Sequence, residues 1–239
     1  GSHPSSLSLN TVTLGTVNYN WQELPPGSAT GSGSWSGGGL IITGLPSGSI
    51  IRLQIEPNNF KKINFGVGSD NVRLIDVEQW GTTVWSSMYN SYSGCSNLQI
   101  SATDIPNLTT VTDLSRMFDG CTILNSPSNI GSWNTTAVTN MSLMFNGASA
   151  FNQNIGSWNT TAVQIMAAMF NGASAFNQNI GSWNTSAVTD MGGMFSGASA
   201  FNQNIGAWST PLVNNMSYMF YGASAFNQPL GGWITSAVT

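Results

Sequence analysis

The sequence predicts an α/β solenoid of 25–27-residue units, each with one short strand and one short helix, preceded by a small all-β module. Three observations carry that prediction. Trp133, Trp158, Trp183, Trp208 and Trp233 recur at intervals of 25 residues, and a fixed period of about 20–50 residues marks a stacked repeat architecture. Within each unit apolar residues fall at steps of three and four in one half and are sparse in the other, so two local structures alternate. Residues 4–66 lack the period and alternate apolar positions among Ser, Gly, Thr and Pro, the texture of short strands.

Taken in chain order, Gly1-Ser2-His3 reads as a tag-cleavage scar outside the fold. Strands are expected at Val17–Trp21, Leu40–Thr43 and Ile50–Ile55, separated by turns at Pro25-Pro26-Gly27, Gly37–Gly39 and Pro46-Ser47-Gly48. A small antiparallel sandwich over residues 4–66 follows, placed to cover the open edge of the first coil. The array occupies 67–239. Counting back from the regular tryptophans places unit starts at Trp80 and Pro106, because Tyr92/Gly94 and Phe118/Gly120 lie at the offsets of the later Phe and Gly. In a regular unit Val138, Met141, Met144, Phe145 and Ala148 share one face of an expected short helix, with Thr135 or Thr136 as N-cap and Gly147 as terminator. The stretch Phe151–Trp158 is expected as a short strand and turn, a pattern plainer in Val72–Trp80.

The run Leu74-Ile-Asp-Val-Glu-Gln-Trp80, then Met88 and Gly94-Cys-Ser-Asn-Leu98, and later Val138-Thr-Asn-Met-Ser-Leu-Met-Phe145 with Gly-Ala-Ser-Ala-Phe, resembles the BspA-like surface-protein repeat. That resemblance covers roughly 72–239 and implies a divergent leucine-rich-repeat-like solenoid from a large bacterial surface protein. The N-terminal segment is similar in layout to a PKD- or immunoglobulin-like module. Because the chain stops part-way through a unit at Ala237-Val238-Thr239, it reads as a monomeric fragment of a longer array.

Composition narrows the chemistry. Only 6% of the 239 residues are charged, against about 25% in ordinary soluble domains. The single histidine is His3, in the scar, so imidazole general acid–base catalysis, Ser-His or Cys-His nucleophiles and histidine metal sites are not expected. Five Lys and Arg against nine Asp and Glu form no basic patch, so nucleic acid is not an expected partner. No apolar run is long enough to span a bilayer, and membrane insertion is not expected either. The carboxylates Asp70, Asp76, Glu78, Asp104, Asp113 and Asp119 cluster early in the array without calcium-loop spacing, and no cofactor is expected. Cys95 and Cys121 occupy the column later filled by Ala148, Ala173, Ala198 and Ala223, which leaves open both a disulfide between adjacent coils and two buried thiols.

The candidate binding residues are repeated amides. Asn152-Gln153-Asn154 recurs as Asn177-Gln178-Asn179 and Asn202-Gln203-Asn204. Such a series either ladders coil to coil or presents hydrogen-bonding groups to a ligand, and both roles can coexist. Tyr218 and Tyr221 stand where the units differ from one another and form a second candidate patch. The expected function is non-enzymatic adhesion at the surface of a bacterial cell or after secretion. The expected partners are a host or cell-surface protein or an extracellular polysaccharide. The alternatives are a carbohydrate-binding accessory module of a polysaccharide-degrading protein, and a structural spacer without a ligand.

Overall fold

The computed structural model describes residues 5–65 and 70–239. The expected scar at Gly1–His3 and the expected boundary at 66–67 lie outside these residues.

Six strands form the N-terminal part: β1 (Ser6–Thr13), β2 (Val17–Glu23), β3 (Thr30–Trp35), β4 (Gly39–Thr43), β5 (Ile51–Ile55) and β6 (Phe60–Asn64). β2, β4 and β5 fall on the three runs that alternate in the sequence. They build two antiparallel sheets, ordered β4-β1-β6 and β3-β2-β5. Leu9, Val17, Trp35, Leu40, Ile42 and Phe60 are buried between them, and the Trp35 indole donates to the Thr11 hydroxyl at 3.0 Å. This part sits directly on the first coil. Ser86 N donates to Lys61 O at 3.0 Å and Phe65 N to Ser91 O at 2.8 Å, while the Phe60 and Trp85 rings meet edge-on at 5.5 Å.

The rest of the chain corrects the expected fold class. It is not α/β, and no unit carries a helix: among the described residues the only helical segments are the 3-10 turns Asn71–Arg73 and Ile130–Ser132. The expected strand at Phe151–Trp158 is irregular backbone, and Val72–Trp80 supplies only β7 (Asp76–Val77), paired in parallel with β8 (Gln99–Ile100). The fold is nearly all β and turn.

The backbone hydrogen bonds show why the three-and-four spacing is not helical. Met144, Asn146 and Ala148 N–H groups close tight turns onto Met141, Leu143 and Phe145 carbonyls. The alternate amides, Met141, Leu143, Phe145 and Gly147, donate instead to Ile165, Ala167, Met169 and Asn171 of the next coil at 2.7–2.9 Å. Leu143 (φ 57°) and Gly147 (φ 67°) stand in the left-handed region four residues apart, where a helix cannot continue. Ala168/Gly172, Gly193/Gly197 and Tyr218/Gly222 repeat the arrangement. A run of such turns returns side chains to one face at helix-like intervals but sends half its amides sideways, and parallel bridges link Asp113, Asn140, Ile165, Asp190 and Asn215 in succession.

Inside the stack, like residues lie on like residues. Phe145, Phe170, Phe195 and Phe220 stack at 5.7, 5.7 and 5.8 Å, and Trp158, Trp183, Trp208 and Trp233 at 6.4, 6.3 and 6.2 Å with planes within 4°. Each aromatic pair contributes about 0.5–1.5 kcal/mol beyond its buried area. Close stacking also fixes glycine where no other residue fits: a Cβ on Gly156 or Gly181 would lie 2.4 or 2.5 Å from the Asn179 or Asn204 carbonyl oxygen.

Candidate functional site

The amide series is a ladder. Asn177 N donates to Asn152 Oδ1 at 3.0 Å, and the Gln178 amide donates to the same oxygen at 2.9 Å and to the Asn152 carbonyl at 3.0 Å. Asn202 and Gln203 repeat these contacts on Asn177, Asn227 and Gln228 repeat the side-chain ones on Asn202, and Asn152 and Gln153 begin the series on Asn125. These half-buried side chains tie the coils together. The third member differs. Asn154, Asn179 and Asn204 are exposed, and their Oδ1 atoms accept from Gly156, Gly181 and Gly206 N–H, each at 3.0 Å. Their amide nitrogens take no protein partner and form an exposed column one coil apart. Tyr218 and Tyr221, 75% and 71% exposed, meet edge-on at 6.1 Å. They stand on the turn segment preceding the amides, so the two candidate patches are not brought into one site.

A second feature lies where the ladder starts. Between Leu124 and Trp133 the chain holds two residues more than between Phe151 and Trp158. There it opens a cleft of about 550 Å3 whose lining includes Ala102, Pro127, Thr103, Asn125, Ser128 and Asn129, with Gln153 at its edge. No charged side chain lines it. In the regular coils the residue equivalent to Asn129 caps the glycine two positions on, whereas Asn129 Nδ2 turns back to the Thr103 carbonyl at 3.0 Å and its buried Oδ1 has no donor. Of the residues here only Gln153 was singled out from sequence; the signal that could have found the others is the 27-residue spacing from Pro106 to Trp133.

The acidic residues serve structure. Asp104 accepts from Trp80 and Gly81 N–H at 2.8–3.1 Å, Asp76 from the Ser101 amide and hydroxyl, and Asp113 from Ser115. Asp119 pairs with Arg116 and Asn146, Asp70 with Arg73 and Glu78 with Arg52. Among the described residues no three His, Cys, Asp or Glu side chains gather as metal ligands, and no helix is long and apolar enough to cross a membrane. Cys95 and Cys121 are free and fully buried. Burial pushes the Cys95 thiol up to about 12 and the Cys121 thiol well above its ordinary value, so both are inert as nucleophiles at neutral pH.

Residues 86–183 and 153–239 each match the model of the family described as "Mycoplasma protein of unknown function, DUF285". The chain belongs to the DUF285 family. Together the two matches take in the coils from Ser86 to the last residue. At a coarse level DUF285 is a BspA-like family of repeat surface proteins, in keeping with the resemblance read from the Met-Phe-x-Gly motif. No curated protein and no solved structure matches this DUF285 chain.

Proposed function

We propose that this protein is a non-enzymatic adhesion or binding protein that works at a bacterial cell surface or after secretion, through the neutral polar face of its coils. The observation that carries this reading is the exposed column Asn154, Asn179 and Asn204, which repeats one amide donor group per coil on a surface almost without charge. Each such hydrogen bond is weak in water, about 0.5–1.5 kcal/mol net. Repetition at a fixed spacing converts weak contacts into useful affinity when the partner repeats too. Membership of DUF285 supports the reading at the level of a repeat surface protein.

The test is adsorption of the purified protein to immobilised extracellular-matrix proteins and to extracellular polysaccharides, at salt from about 0.05 to 0.5 M. Retention that survives high salt is expected, with loss on replacing Asn154, Asn179 and Asn204 together by Ala. Retention by none of the surfaces would point to a spacer, and a steep loss with salt would overturn the neutral-face mechanism.

A further inference from the structure

We infer that the cleft beside Pro127 is a binding site for a neutral saccharide segment, distinct from the amide column of the regular coils. The inference rests on the proposed binding role and gives it a located site and a ligand class.

Four observations lead there. First, the cleft comes from inserted sequence. The coils from Trp133 onward keep one spacing, whereas the chain between Leu124 and Trp133 carries two extra residues; in this stretch Ser126 Oγ holds the preceding coil, accepting from Ile100 N–H at 2.7 Å and donating to Gln99 Oε1 at 3.0 Å. Second, its volume of about 550 Å3 falls within the range of about 300–1,000 Å3 of small-molecule sites. Third, part of its polar lining is unspent. Thr103 and Ser128 are exposed hydroxyls that make no protein hydrogen bond, and Asn125, although its Oδ1 starts the ladder, has an amide nitrogen without a partner. Gln153 donates through Nε2 to Asn125 and keeps its Oε1 free. Fourth, Asn129 Oδ1 is buried without a donor, a departure from the capping role of its counterparts Asn154, Asn179 and Asn204. An unsatisfied amide oxygen at the position where the regular coils cap a glycine is a feature that the turn itself does not explain.

The chemistry of this set selects the ligand. A sugar hydroxyl both donates and accepts, and the cleft offers hydroxyls that do both, an amide donor and an amide acceptor. Nothing lining it is charged, so a phosphate, sulfate or uronate would have no counterion, and an ammonium group no carboxylate. The nearest carboxylates, Asp76 and Asp104, are already engaged by Ser101 and by Trp80 and Gly81. Ala102 and Pro127, both buried, give the apolar floor against which a pyranose places its C–H face.

The experiment is calorimetric titration of the whole protein with a panel of neutral oligosaccharides (glucan, mannan, galactan and N-acetylhexosamine oligomers), with an extended neutral peptide as comparison. At least one oligosaccharide is expected to bind with an affinity unchanged by salt. Asn125→Ala and Thr103→Val are each expected to weaken it about tenfold, and Ser128→Trp, which breaks no hydrogen bond and fills the cleft, to abolish it. Asn177→Ala removes the same ladder contacts two coils on and is expected to leave binding intact. Saccharide binding by none of the panel, equal loss in Asn177→Ala, survival in Ser128→Trp, or binding only of the peptide would overturn the inference. Surface retention by the unaltered protein with no saccharide of the panel bound would sink the cleft and leave the proposed adhesion standing; loss of retention in the triple Asn→Ala protein with saccharide binding intact would separate the two sites.

Discussion

The coils after Ile130 and the coils before it obey the same backbone rules but solve their packing differently. In the later coils the buried core columns repeat one residue: Phe on Phe, Trp on Trp, Ala on Ala, Thr on Thr. Each indole from Trp158 onward donates to an isoleucine carbonyl of the preceding coil at 2.9–3.2 Å. In the earlier coils Pro106 stands in the tryptophan column, so Trp80 and Trp133 meet edge-on at 5.4 Å across it, and the buried indole nitrogens of Trp80, Trp85 and Trp133 find no acceptor. Charge follows the same division. After Asp119 the only charged side chain is Asp190, whereas the first coils use carboxylates to cap turns. Homogeneous columns need no charge because the lattice satisfies its own amides; mixed columns leave gaps that capping groups fill, and one of those gaps is the cleft.

The largest expected effect breaks the lattice at its tightest point. Gly181→Ala would drive a Cβ to 2.5 Å from the Asn204 oxygen, while Gly231 has nothing within 4 Å of the same position. Gly181→Ala is expected to cost roughly 2–4 kcal/mol and Gly231→Ala less than about 0.5 kcal/mol, read as midpoint shifts in urea unfolding. Equal effects would show that the coils breathe enough to absorb a methyl group.

Next in size is the indole comparison. Trp183→Phe removes one of the two hydrogen bonds on the Ile155 carbonyl, the indole's at 3.2 Å, and leaves the Trp158 N–H at 3.1 Å, whereas Trp133→Phe removes a donor that already lacks a partner. Both lose similar apolar area. Trp183→Phe is therefore expected to cost about 0.5–1.5 kcal/mol more than Trp133→Phe, and a reversed order in thermal unfolding would refute the division between the two sets of coils.

How much of this was legible follows from the same contrast. The period, the unit starts and the buried columns could be read because homogeneous stacking imprints one residue type at one spacing. The local conformation could not, since tight turns with a left-handed residue every fourth position return Met141, Met144 and Phe145 to the core at the intervals of a helix. Gly147 was visible as a terminator, but Leu143, Ala168 and Tyr218 are not glycine, and nothing in their identity announces φ above 50°; the inter-coil hydrogen bonds impose it. Of the site, the amide series was legible as a ladder or a surface, and Asn152 and Asn154 show that adjacent members divide those roles. The cleft was hidden because Thr103 and Ser128 stand in coils that depart from the regular spacing, so no repeated signal marks them.

Alkaline pH sharpens the comparison through the core of the first coils. Tyr92, Cys95 and Cys121 occupy positions that are Phe or Ala later, and burial holds all three protonated in the folded protein. For Cys95 the ordinary value of 9.0 rises to about 12. Its protonated-state stabilisation is whole below pH 9.0 and is lost as pH rises from there through about 12. Unfolding free energy is thus expected to fall above pH 9.0 for the two cysteines and above pH 10.0 for Tyr92, by up to about 1.4 kcal/mol per pH unit for each group. Tyr92→Phe with Cys95→Ala and Cys121→Ala installs the later-coil residues and is expected to flatten that fall. A triple variant that still loses stability equally fast would place the alkaline weakness elsewhere.

The smallest expected effect tests whether charge matters at all in the later coils. Asp190 Oδ1 accepts from Gly192 N at 2.8 Å and Asn215 Nδ2 at 2.9 Å. In the same column Asn140 and Asn215 accept from Ser142 and Ser217 through Oδ1 at 3.0 Å, so an amide oxygen can take over the turn contact. Asp190→Asn is expected to change stability by no more than about 0.5 kcal/mol and to leave surface retention and its salt independence unchanged. It would remove the last side-chain charge from the array after Asp119. A loss of retention on that substitution would mean that one carboxylate, not the neutral face, carries the binding.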